Sequence, residues 1–345
     1  MKKGTRIALI VACVMIIVGA TLMNFARRQG ADLGSFFNSG LNFSSTGGAI
    51  GFGGQTGYTV CLSGEERFAA ADVRSLDLDW VSGAVLVEHW DGEEILVRED
   101  SASSLSESQR MRWKLSGGTL SVLFCADGQM SVPDKALIVL LPRDYSPKAL
   151  DADAVSASVT VFELAVDGEI DADTTSGEVR VKNCVCASLD VDTTSGAVTV
   201  EETAIAGALD ADSTSGAISV SGCACATIDA DTISGKVSVE KTAIAGTVEA
   251  DTTSGDIMLR DLSDGCKADV NTISGQVELR FIGAPKGVDV ETSSGAVRLS
   301  FPKDTVVDLD FDTSSGKLSG SLHSAKGGLP VSVETISGDL VIEET

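Results

Sequence analysis

Histidine and aromatic residues are scarce in this chain: two histidines in 345 residues, and Phe, Trp and Tyr together only 5%. His89 and His323 each sit in a turn-like context, and neither an HExxH nor a GxSxG pattern occurs. The plentiful Ser, Thr and Asp are accounted for by turns. Solenoid polysaccharide lyases break their repeat with a cleft of acidic and basic residues, and no copy here departs that way. A non-enzymatic protein is therefore expected, and no residue is assigned a catalytic, cofactor-binding or metal-ligating role. With few rings and abundant Gly, Ser, Thr, Val and Asp, the composition suits short strands and tight turns rather than a helical bundle.

Basic side chains are also scarce, at 26 against 50 acidic ones. Lys2, Lys3, Arg6, Arg27 and Arg28 fall in the first thirty residues, which carry no acid. The remainder holds 21 basic and 50 acidic side chains, a charge of −29. Such a surface repels nucleic acid and anionic lipid head groups, and anionic wall polymers unless cations intervene.

One long apolar run is present. Ile7 to Phe25 is uncharged over 19 residues, close to the ~20 that cross a bilayer as a helix. A cleaved signal peptide competes with a retained anchor; the run exceeds a signal core of about 7–15 residues, and Val18-Gly19-Ala20 is a poor cleavage site. The anchor is favoured. Basic residues before the span place the N-terminus in the cytoplasm and the rest of the chain outside.

Composition divides the chain into a stub and anchor (1–28), a Gly/Ser-rich flexible stalk (29–65), a capping β region (66–150) and regular repeats (151–345). Phe36, Phe37, Phe43 and Phe52 of the stalk either sit in solvent or pack under the domain or at the membrane. In the capping region Leu76-Asp77-Leu78-Asp79 leads through Ser82-Gly83 into Val85-Leu86-Val87, a strand–turn–strand pattern. Lys114 to Val122 and Ala136 to Pro142 read as further strands, and Trp80, Trp90 and Trp113 lie nearby. These tryptophans either fill a cap core or stack on sugars.

Thereafter a Ser-Gly turn recurs at Ser176, Ser195, Ser215, Ser234, Ser254, Ser274, Ser294, Ser315 and Ser337, with a degenerate copy at Ser156. The spacing is 19–22 residues. Periods of this length mean a stacked array. In LDVDTTSGAVTV (Leu189–Val200) an apolar face alternates with an acidic one, Ser-Gly turns the corner with its glycine in the left-handed conformation, and a second strand follows. A third apolar patch, such as Ala204-Ile205-Ala206, completes the unit. One turn of about 20 residues cannot bury its own apolar face, so the turns stack. The expectation is a right-handed single-stranded parallel β-helix of about 20 residues per rung, preceded by one transmembrane helix. Ten rungs at about 4.8 Å would make a rod on the order of 50 Å long.

Two acidic columns follow from the register. One is Asp171, Asp190, Asp210, Asp229, Glu249, Asp269 and Asp289; the other is Asp173, Asp192, Asp212, Asp231, Asp251, Asn271, Glu291 and Asp312. Neighbouring carboxylates a rung apart repel by roughly 1 kcal/mol even in water. Either the second acid caps the turn through backbone N–H groups, or the ladder binds Ca²⁺ or Mg²⁺ weakly. Cys184 and Cys186, and Cys223 and Cys225, are placed at equivalent positions two rungs apart, with Ala204 and Ala206 between them. That distance excludes a shared zinc site and a disulfide between the pairs, leaving small side chains filling a column.

The anchor, the lead-in with Lys114-Leu115-Ser116-Gly117-Gly118-Thr119-Leu120 and Ala136-Leu137-Ile138-Val139-Leu140-Leu141-Pro142, and the Ser-Gly repeats together resemble the bacterial DUF4097, or putative-adhesin, family over residues 70–345. The resemblance implies a surface-exposed β-solenoid acting in adhesion or envelope regulation, and it carries no catalytic residues. The functional expectation is a membrane-anchored, non-enzymatic binding protein. Its ligand is an external surface or, alternatively, a partner in the same membrane; a polysaccharide-acting enzyme ranks behind both.

Overall fold

The computed structural model describes residues 50, 52, 55–129, 131–321 and 323–345. The expected span at 7–25 and residues 29–49 of the expected stalk lie outside them. Among the described residues no helix is long and apolar enough to cross a membrane. They form an all-β solenoid of the right-handed type, with two short 3₁₀ turns and no α-helix.

Two large sheets run the length of the rod, one of 15 strands and one of 14, joined midway by a four-stranded third side. Twelve levels of paired parallel strands stack between the sheets, ten of them carrying the Ser-Gly copies from Ser156 to Ser337.

The level formed by Ser188–Thr193 and Val198–Glu201 shows why these residues coil. Leu189 and Val191 point inward beside Val198 and Val200, all four at most 1% exposed. Each such side chain contributes about 1.5–3 kcal/mol by burial, and the column is continuous because every level repeats it. Thr203 and Ile205 close the third side from within.

The Ser-Gly corner differs from expectation in its reason for glycine. None of these repeat glycines after Gly83 has positive φ. A Cβ on Gly216 would instead lie 1.6 Å from the carbonyl oxygen of Gly196 on the level below, and one on Gly196 1.6 Å from that of Gly177. Glycine is required by close backbone stacking. The left-handed residue falls at the other corner, after the second strand, where Glu163, Asn183, Glu202, Gly222, Lys241 and Asp261 recur in turn. Only one of those six is glycine.

Spatial order departs from chain order at both ends. Thr119–Leu123 and Lys135–Pro142 lie outside Ser75–Trp80 and Gly83–Trp90, which pair directly with Ala149–Ala154 and Ser158–Phe162. At the other end, Leu329–Thr335 and Leu340–Glu344 pair with Gly287–Thr292 and Val297–Phe301. This pushes Val306–Thr313 and Leu318–Gly320 to the outermost level. The last two copies are thus stacked in reverse of their sequence order. The step from Ser294 to Ser315 passes an open level, about 10 Å rather than about 5 Å, and takes 21 residues.

The N-terminal end is closed by antiparallel strands. Thr59–Val60 pairs with Arg112–Ser116 against one sheet, and Glu65–Ala69 pairs with Glu94–Ser101 against the other. Ile50 bridges to Gln129, and Phe52 packs against the core. Residues 55–65, assigned to the stalk by composition, therefore belong to the cap.

Candidate functional site

The outer face of the 15-stranded sheet carries the predicted acidic columns, and the structure extends both. Asp77 faces Asp151, which faces Asp171, and the column continues through Asp190, Asp210, Asp229, Glu249, Asp269 and Asp289 without interruption. Asp79, Asp153 and Asp173 begin the second column, which ends beyond Glu291 in Glu334 and Asp312. Asp77, Asp79, Asp151 and Asp153 were missed by sequence reasoning, although Leu76–Asp79 and Leu150–Asp153 show the same apolar–acid alternation as the repeats.

The second column is not a set of turn caps. That role belongs to the next residue: Gly196 N–H donates to Thr193 Oγ1 at 3.0 Å, Gly216 N–H to Ser213 Oγ at 2.8 Å, and the pattern recurs at Thr232, Thr252, Thr272 and Thr292. The carboxylates stand beside other acids on the levels above and below. Burial, reinforced by neighbouring acids, pushes Asp173 and Asp212 up to about 9 and Asp231 to about 8. Asp79 and Asp153 rise to about 7 for the same reasons. Asp251 rises only to about 6, because Asn271 replaces an acid beside it and its Nδ2 donates to Asp251 Oδ1 at 2.8 Å. Asp173 Oδ1 and Asp231 Oδ1 are buried without a hydrogen-bond partner. Among the described residues no group of three or more His, Cys, Asp and Glu side chains is arranged to hold a metal ion.

The outer face of the 14-stranded sheet is built from the same geometry with the opposite charge pattern. Lys182 and Arg180 meet Glu201 at 3.3 and 3.6 Å, Arg260 bridges Glu278 at 2.8 Å and Glu240 at 3.8 Å, and Arg298 pairs with Glu343 at 3.1 Å.

The cysteine column differs from the sequence reading in one respect. Cys184 and Cys186, like Cys223 and Cys225, face inward. The residues between the pairs are Thr203 and Ile205, while Ala204 and Ala206 point outward. Counting eight and ten residues from each corner serine finds this alternation; counting on resemblance of small residues does not. All seven cysteines among the described residues are free and buried, and burial pushes the Cys186 and Cys225 thiols up to about 12.

The tryptophans serve the cap. Trp80 is buried edge-on to Phe124 at 4.9 Å, and its indole N–H donates to Lys135 O. Trp113 packs edge-on to Phe68, and Trp90 lies under Arg67 and donates to Glu94 O. Lys135 itself is buried, ion-paired with Glu99 at 2.7 Å and donating to Gln109 O and Phe124 O. No local pattern in the sequence links those distant residues. His89 is held between Leu141 O and the Ala165 N–H, and His323 is exposed on a short strand of the outermost level.

No curated protein matches the chain. A Clostridium sporogenes structure described as a "putative cell adhesion protein" is similar at 10% identity and a TM-score of 0.22, covering 81% of this chain and 98% of that one. A Bacteroides fragilis "putative adhesin" is similar at 8% identity and a TM-score of 0.34, covering 84% of this chain and 98% of the other. The family model described as Toastrack DUF4097 matches residues 73–262, more than half of the sequence, and spans the inner cap strands and the first six Ser-Gly levels. The chain belongs to the Toastrack DUF4097 family.

Proposed function

We propose that this protein is a membrane-anchored, surface-exposed, non-enzymatic binding protein. Residues 7–25 hold it in the cell membrane with the N-terminus cytoplasmic, and the acidic face of the solenoid is its contact surface. The observation that carries this reading is the long acidic double column beside a second face on which acids and bases meet across levels. Because the other face mixes acidic and basic side chains while this one stacks acids on successive levels, its excess negative charge is best explained by a ligand that supplies cations or hydrogen-bond donors. Adhesion to an external surface is the primary assignment. Regulation through a partner in the same membrane is the alternative.

Photo-crosslinking on living cells from Glu249, with Lys236 on the other face as the comparison, tests it. Capture from Glu249 of a component supplied only by added tissue or foreign glycan supports adhesion. Capture of a membrane protein from the same cell replaces adhesion with regulation. Capture from Lys236 alone overturns the acidic face as the contact surface.

A second reading is favoured by the partnerless Asp173 and Asp231 oxygens: divalent cations act as weak counter-ions along the ladder. Chelation should then lower the melting temperature, and an unchanged melt removes the reading.

A further inference from the structure

The two ends of the rod are not equivalent. At the N-terminal end four antiparallel strands cover the last parallel level, and the core beneath them is closed. At the C-terminal end the described residues cover only the start of the outermost level, where Ala325 N–H donates to Val307 O and Gly327 N–H to Asp308 Oδ2. Val306–Thr313 is paired on its outer edge only at Val306 and Val307, by His323–Ser324. Among the described residues no strand pairs with the outer edge of residues 308–313, nor with that of Leu318–Gly320. The apolar column surfaces here: Leu318 is 53% exposed, whereas its neighbours in the same column, Leu340 and Val297, are 0% and 1% exposed. Leu309 and Phe311 are only half-buried, unlike Val331 and Val333 beneath them.

A parallel strand turns the N–H and C=O of alternate residues to the same side. Ala325 N–H donates to Val307 O across the outer edge, so Leu309, Phe311 and Thr313 also present both groups outward. A solenoid needs its terminal unit covered, and a bare strand edge is a template for a further strand. The chemistry of that strand follows from the pleat. One side would lie over Leu309 and Phe311, and the other beside Asp308, Asp310 and Asp312, which continue the acidic face to this edge.

A second copy of this chain, paired edge to edge about a twofold axis, would set those aspartates against themselves, which is destabilising. We propose that the C-terminal edge of the 15-stranded sheet docks an extended segment of another protein in which apolar residues alternate with lysine or arginine, adding a strand to Asp308–Thr313. The proposal stands on the open edge and its charge, and does not depend on the anchor or on what the rest of the acidic face binds.

The test uses the full chain in detergent micelles and two acetylated ten-residue probes, one alternating valine with lysine and one alternating valine with glutamate. Binding is followed by fluorescence anisotropy and amide hydrogen exchange. The lysine probe is expected to bind one to one and to slow exchange at Leu309, Phe311 and Thr313 at least tenfold. The double variant D310K/D312K should lose that binding by tenfold or more and gain binding of the glutamate probe. Three results overturn the proposal: no binding; several probes per chain with unchanged exchange at residues 309–313, which would be coating of the ladder; or slow exchange at those amides without probe in a chain that sediments as a dimer, which would give the edge to a second copy.

Discussion

The two faces of this rod share one chain, one strand spacing and one core, yet solve the same electrostatic problem in opposite ways. On the 14-stranded face, acidic and basic side chains of adjacent levels meet, as Arg260 meets Glu240 beside it and Glu278 on the diagonal. On the 15-stranded face, Asp210, Asp229 and Glu249 follow one another with no change of sign. Stacking therefore does not force like charges together. The acidic face keeps acids on successive levels, and burial, reinforced by those neighbouring acids, raises the pKa values of Asp173, Asp212 and Asp231. Exposed ion pairs are each worth only about 0.2–1 kcal/mol. The contrast thus lies mainly in the repulsion on one face rather than the attraction on the other.

The comparison can be broken at the corner both faces share. Gly216→Ala would drive a Cβ into the Gly196 carbonyl, and we expect a loss of roughly 4 kcal/mol or failure to fold, read by chemical denaturation. A milder lever is pH. Asp173, Asp212 and Asp231 titrate in the folded chain well above the ~3.9 of an unfolded aspartate, so their stabilising contribution is complete below that value and is lost as pH rises through about 8 to 9. The melting temperature should fall by roughly 5 °C between pH 5 and pH 9; a rise over that interval would contradict the ladder's electrostatics. Asp212→Asn removes one like charge from the stack and should stabilise by about 1 kcal/mol at pH 8 but not at pH 4. The smallest effect is expected from the paired face, where Glu278→Gln should cost about 0.5 kcal/mol, an amount that high salt abolishes.

Much of this contrast was legible before any coordinates. Serines spaced by 19 or 20 residues define the levels, and the alternation Leu189-Asp190-Val191-Asp192 assigns one face to core and the other to solvent. What escaped were features set by neighbours in space rather than in sequence. The role of the corner glycines depends on a carbonyl about 20 residues away, and the capping of the turn by Thr193 rather than Asp192 depends on which way the strand faces. The Glu99–Lys135 pair joins two strands with no shared pattern. The exchange of the last two levels left only a lengthened period as its trace, and a spacing cannot say which strand lies outermost.

That exchange has a mechanical consequence. Leu340–Glu344 is gripped on both edges, by Val297–Phe301 and by Leu318–Gly320. A solenoid stacked in chain order unwinds under tension by unzipping its last strand from a single neighbour. Here a pull transmitted through Leu340–Glu344 must slide that strand past two ladders at once. The load falls on hydrogen bonds in shear along both edges, and this strand resists being peeled away under force.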